Sequence, residues 1–131
     1  MANGYTDAVL ALCALFGLAT AWMSGMQPAR FAEQLGLSVA NAGGLNEVRA
    51  QYAGFFLAAA LVCIAALAGI IPRQAALILL IATFGGLFCG RLVSLAINRG
   101  TSGFSPAIIS LYFIDFTGLA LASVALAFGR R

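Results

Sequence analysis

The chain has 131 residues, of which 63% are hydrophobic and only 8% charged, and its mean hydropathy is +1.02. An ordinary soluble domain has roughly a quarter of its residues charged, so a water-soluble globule is excluded. The net charge of +3 does not call for nucleic acid, because every basic residue is an arginine near the end of an apolar stretch or alone inside one, and a membrane explains that placement.

Four stretches, 7–26, 46–71, 74–97 and 106–128, each supply the about 20 mainly apolar residues that a spanning helix needs. In lipid the backbone must satisfy its own hydrogen bonds, which makes helices the spanning form for segments of this length. The expected fold is an all-α integral membrane four-helix bundle, one transmembrane domain over 1–131, with a short interfacial helix at 28–36 between the first two spans. The lipid bilayer is the first partner implied.

The first span opens at Asp7 with nothing positive before it, so despite the small-residue pair Ala19 and Ala21 it reads as a retained helix and not as a cleaved signal. Tyr5 and Trp22 lie about 25 Å apart along a helix, which suits aromatic anchoring at two interfaces. Gly17, Ala21 and Gly25 recur every four residues, a stripe that lets another helix come close. In the following QPARFAEQLGL, Gln27 is expected to cap, Pro28 to open the first turn and Gly36 to end the helix in a left-handed conformation. The segment is too short to cross, and Phe31 and Leu35 share a face away from Arg30, Glu33 and Gln34, as an interfacial helix requires.

The second span opens with NEVRAQYAG, the densest polar stretch of the chain, and runs on apolar to Ile71. Pro72 and Arg73 mark a tight turn, which makes the second and third spans antiparallel neighbours. The third contains Gly86 and Gly90 at the G-x-x-x-G spacing, a feature compatible with a homo-oligomer but weak alone. Ser105 and Pro106 read as the cap and first turn of the fourth span. Cys13, Cys63 and Cys89 are isolated and read as small buried side chains. Histidine is absent, which removes the commonest metal ligand and the usual base for neutral pH. No cofactor is implied, and a non-enzymatic role is favoured.

Polar residues converge at one end. Arg91 lies seven residues before Asn98, and Asp115 nine residues after Pro106, so both sit about 10 to 14 Å inside the same surface. Opposite charges at equal depth on consecutive antiparallel helices suit an intramembrane ion pair. Glu47 and Arg49 enter the second span from that surface, and Gln51, Tyr52, Ser94 and Tyr112 add hydrogen-bonding groups at similar depth. The expected result is a polar pocket in the outer half of the bundle.

Glu47, Gln51, Gly54 and Ala58 share one face of the second span, while Arg49, Tyr52 and Phe56 point about 200° away from Glu47. The Glu47 face is taken as the inward one, so Gly54 and Ala58 are expected to pack against other helices as the Gly17 stripe does. A purely structural role stays open: Asn46 and Glu47 also suit a helix cap, Arg49 a headgroup contact, and Arg91 with Asp115 a lock between two helices.

The NE-x-RAQY-x-G stretch, the P-x-RF-x-x-x-LGL segment and the Gly90–Arg91 pair together resemble a family of small bacterial membrane proteins of unknown function. More distantly, the layout is similar to DoxX-like four-helix proteins, some of them associated with quinone-linked oxidases. The first resemblance implies a fold and a membrane, and it carries over Asn46, Glu47, Arg49, Gln51, Tyr52, Gly54 and Arg91 without roles. Asp115 comes from depth alone.

The ligand-binding candidates are therefore Glu47, Arg49, Gln51, Tyr52, Arg91, Tyr112 and Asp115. The preferred function is binding of a small amphipathic or polar-headed molecule, or of a partner subunit. A small transporter or channel, and an accessory subunit of a quinone-reactive or lipid-modifying enzyme, are the rivals. Arg73, Arg130 and Arg131 with the N-terminal amine outnumber Arg30 and Arg99, so a bacterial inner-membrane protein with cytoplasmic termini is expected.

Overall fold

The computed structural model describes residues 2–129. Arg130 and Arg131, on which the orientation expectation partly rests, lie outside the described residues. Among the described residues six α-helices follow one another: α1 (Ala2–Met26), α2 (Pro28–Gln34), α3 (Ala42–Val48), α4 (Phe55–Leu67), α5 (Arg73–Asn98) and α6 (Pro106–Gly129). Between α3 and α4 the chain forms a π-helical segment, Arg49–Gly54, so that Ala42–Leu67 is one continuous span. With α1, α5 and α6 this makes four helices long and apolar enough to cross a membrane, as the composition requires.

Local chemistry sets the ends. Pro28 opens α2, but Gln27 makes no capping bond, and its side chain accepts from Arg30 instead. Gly36 takes φ +73° and lets Leu37 N–H return to the Ala32 carbonyl, closing α2 as expected. The second span begins at Ala42, four residues earlier than the polar stretch suggested, because the Asn41 side chain accepts from Gly44 N–H at 3.1 Å. Asn46 and Glu47 are thus interior to the helix and cap nothing. The span ends at Leu67, short of Ile71, where Gly69 at φ +75° permits Ile70 N–H to bond the Ala65 carbonyl. Ser105 caps α6 through Ile108 N–H, as expected.

The bundle closes in chain order. α1 packs on α4 and α6, α4 on α5, and α5 on α6. Gly17 makes the α1–α4 approach possible: a Cβ there would lie 2.9 Å from the Phe56 carbonyl oxygen and 3.0 Å from the Ala60 Cβ. Gly25, at the same face one end further on, meets Ala53. The inward face of the second span is therefore the one with Val48, Tyr52, Phe56, Ala60 and Cys63. Glu47, Gln51, Gly54 and Ala58 are exposed, which corrects the expected facing of that helix.

The apolar core occupies the half of the bundle that holds the start of α1 and the end of α6. Val9, Leu10, Cys13 and Ala14 meet Cys63, Ala66, Leu77, Leu80, Phe84, Ala122 and Ala125 there. Cys89, by contrast with Cys13 and Cys63, is exposed. At this same end Tyr5 and Phe128 meet edge to face, and Arg73 forms a two-point ion pair with Asp7, its Nε on one carboxylate oxygen and its Nη2 3.3 Å from the other. Leu15, Trp22, Ile70, Ile97 and Phe113 are among the large apolar side chains left exposed around the bundle, a surface suited to contact with lipid.

Candidate functional site

The opposite half is built differently. On α5, Gly86 and Gly90 leave the helix face bare, and a Cβ at either would meet nothing within 4 Å. Across from them stand Tyr52 of the π-helical segment and Ile108 and Tyr112 of α6, with Leu35, Gly36, Gly103, Phe104 and Ser105 at the loop end. These residues, with Leu87, Arg91 and Ser94, line an open-sided cavity of about 560 Å³, within the range of small-molecule sites. The G-x-x-x-G pair thus lines a void in place of a helix contact.

Arg91 supplies the charge on the cavity wall. Its Nε donates to Asp115 Oδ2 at 2.6 Å. The Asp115 side chain is 3% exposed and that of Arg91 22%, and of the two only Arg91 lines the cavity, so the enclosed carboxylate fixes a guanidinium whose side chain borders open space. Tyr112, one turn before Asp115, donates its hydroxyl to the Arg91 backbone carbonyl at 2.9 Å and stacks on Phe104. A side chain bonded to the backbone of the neighbouring helix fixes the α5–α6 register at the depth of the ion pair.

The loop end is tied down as well. Ser105 Oγ donates to the Gln34 carbonyl at 3.0 Å, joining the end of α2 to the start of α6. Phe31 of α2 packs on Tyr52 with ring centroids 5.1 Å apart. The π-helical segment carries Tyr52 to this position, and single π turns inside α-helices are frequent at functional sites.

Of the seven residues read from the sequence, Tyr52, Arg91 and Tyr112 come together on the cavity wall and Asp115 stands directly behind Arg91. Glu47 and Gln51 are exposed on another face and do not join them. Arg49 is exposed too, and its Nε donates to the Gly25 carbonyl at 3.2 Å, where a cation complements the C-terminal end of α1. Sequence reasoning expected a polar pocket in this half but missed its glycine wall, Phe104 and Ser105 at its loop end, the π-helical segment and the Asp7–Arg73 pair. Only the last had a readable signal, since the topology puts the start of the first and third spans at one surface. Among the described residues no three of His, Cys, Asp and Glu gather as a metal site would need.

A bundle of four apolar spans with a charge pair at depth defines a multi-pass membrane protein. The chain belongs to the DUF4345 family, a domain of unknown function, which matches residues 5–126. No curated protein and no solved structure matches it.

Proposed function

We propose that this protein acts as a single transmembrane unit that binds a small amphipathic or polar-headed molecule in the cavity between α5, α6 and the π-helical segment. The observation that carries the reading is Arg91, held through its Nε by Asp115 and lining a pocket of about 560 Å³. An ion pair serving only to lock two helices has no need of a cavity beside it. In this reading Arg91, Tyr52 and Tyr112 touch the ligand and Asp115 positions Arg91, while Glu47, Arg49 and Gln51 have other roles. Gentle extraction followed by native mass spectrometry tests it: a small molecule should stay with the wild type and be lost from Gly90→Leu, whose new side chain enters the cavity. Equal retention by both proteins would remove the cavity from consideration.

The bacterial inner membrane and cytoplasmic termini belong to the same proposal. Arg73 is paired with Asp7, but acidic residues weigh little in the positive-inside rule, so Arg73 still counts toward the side of the termini. Arg49, which reaches the last turn of α1, adds to the other side and narrows the margin to the N-terminal amine. A periplasmic phosphatase should be inactive when fused after Arg131 and active when inserted between Arg99 and Ser105. The reverse result would place the cavity in the cytoplasmic half.

A further inference from the structure

Resting on the cavity reading above, we infer that the ligand head is an oxyanion, a phosphate or carboxylate on an apolar tail, bound by the terminal nitrogens of Arg91.

The donors and acceptors on the wall point one way. Arg91 spends Nε on Asp115, and its two terminal nitrogens are donors only. This single-point contact differs from the two-point pairing of Arg73 with Asp7 at the other end of the bundle. Asp115 thus orients the fork and leaves its outer edge for something else. The Ser94 hydroxyl accepts from Asn98 at 3.2 Å, which leaves its own proton to give. Tyr52, which also lines the cavity, carries a further hydroxyl. No carboxylate lines the cavity, because Asp115 is enclosed behind Arg91 and Glu47 is exposed elsewhere. A ligand head that matches this wall must present acceptors, and the one charged group it meets is a planar fork suited to two oxygens of one anion.

Apart from Ser105 and Tyr112, whose hydroxyls donate to the Gln34 and Arg91 carbonyls, the rest of the wall is apolar or bare. Leu35, Leu87, Phe104 and Ile108 offer contact for a hydrocarbon tail, and the glycine face of α5 leaves room for it. Head and tail together distinguish an amphiphile from inorganic phosphate, whose chemistry at Arg91 would be the same.

The test uses the full chain in an uncharged detergent with three probes: dodecyl phosphate, dodecanol and inorganic phosphate. Binding of dodecyl phosphate is expected, with dodecanol weaker by about tenfold to a hundredfold, the range set by charge-assisted hydrogen bonds. Because a lone change at Arg91 would strand Asp115, the charge is removed with the paired variant Arg91→Gln, Asp115→Asn. That variant should bind dodecyl phosphate no better than dodecanol. Gly90→Leu should bind neither.

If Gly90→Leu binds both as the wild type does, the cavity reading fails. If Gly90→Leu blocks binding but the paired variant still prefers dodecyl phosphate, the cavity stands and the oxyanion inference is overturned. Failure of the wild type to bind dodecyl phosphate, or equal affinity for dodecanol, overturns it as well. Competition then separates the sources: displacement by phosphatidylglycerol but not by a galactosyl diacylglycerol supports a lipid headgroup, and displacement by inorganic phosphate at equal concentration supports a free anion and overturns the apolar-tail part of the inference.

Discussion

Arg91→Leu is expected to destabilise the protein by about 3 to 5 kcal/mol, the usual cost of breaking a buried pair by removing one partner. Asp115 is then left with its side chain 3% exposed and no countercharge. Asp115→Leu should cost less, because the stranded Arg91 lies against the cavity and can turn its charge toward water or headgroups there. The double change to leucine removes both charges and should return most of the lost stability, since apolar replacement of a buried pair is often neutral or better. Thermal unfolding of the four proteins in one detergent measures this as a coupling energy. Retention of the bound molecule should not return with stability. A double variant that is stable and keeps its ligand would reduce the pair to a helix lock. Effects that merely add would mean that the two residues do not interact. The Asp7–Arg73 pair is the internal control: both side chains are more than a third exposed, and its neutralisation should move the melting temperature little.

Residues whose depth can be counted from a helix end were legible in the sequence. Pro106 and Asn98 mark the two helix ends, and counting inward from them brings Arg91 and Asp115 together, where α5 and α6 pack as antiparallel neighbours. Tyr112 follows from Asp115 by one turn. What the sequence withheld was rotation. The second span is apolar nearly all round, so its pattern does not choose between the Glu47 face and the Tyr52 face, and small residues stand on both. The choice is made by the partner, since Gly17 on α1 accepts the Phe56–Ala60 ridge. Arg49 follows that rotation toward the end of α1, and Glu47 and Gln51 are carried away from the cavity.

The π-helical segment was hidden for a different reason. RAQYAG has no residue type that forbids an ordinary α-helix, so the widened turn is a property of the assembled bundle. The cavity too is a product of assembly. Gly86 and Gly90 carry the same spacing as a close-packing motif, and only the position of the neighbouring helices makes them a bare wall. A glycine pattern in a membrane helix therefore marks space, and whether another backbone or a ligand fills it is decided by the partner helix.

That distinction gives the second large expected effect. At Gly118 on α6 a Cβ would lie 2.7 Å from the Phe84 ring, and Phe84 is itself enclosed in the core. The contact is with the root of the ring, so the whole side chain must shift: Gly118→Ala should cost about 1 to 3 kcal/mol through overpacking, and Gly118→Leu should abolish folded protein. Gly17→Leu should do nearly the same, because the obstacle is the Phe56 backbone and relief requires α1 and α4 to separate. Gly54→Leu is the contrast: its Cβ would meet only the Arg49 carbonyl, at 3.8 Å, and in an exposed apolar position the change should be tolerated. Gly90→Leu should also fold, while filling the cavity. Folded yield by size exclusion and melting in detergent ranks the four leucine variants, with Gly118 and Gly17 failing and Gly54 and Gly90 surviving. Loss of the Gly54 variant would mean that the face now exposed is covered by another chain in the membrane. Survival of Gly17→Leu would show that the close approach of α1 to α4 is not what holds this half of the bundle together.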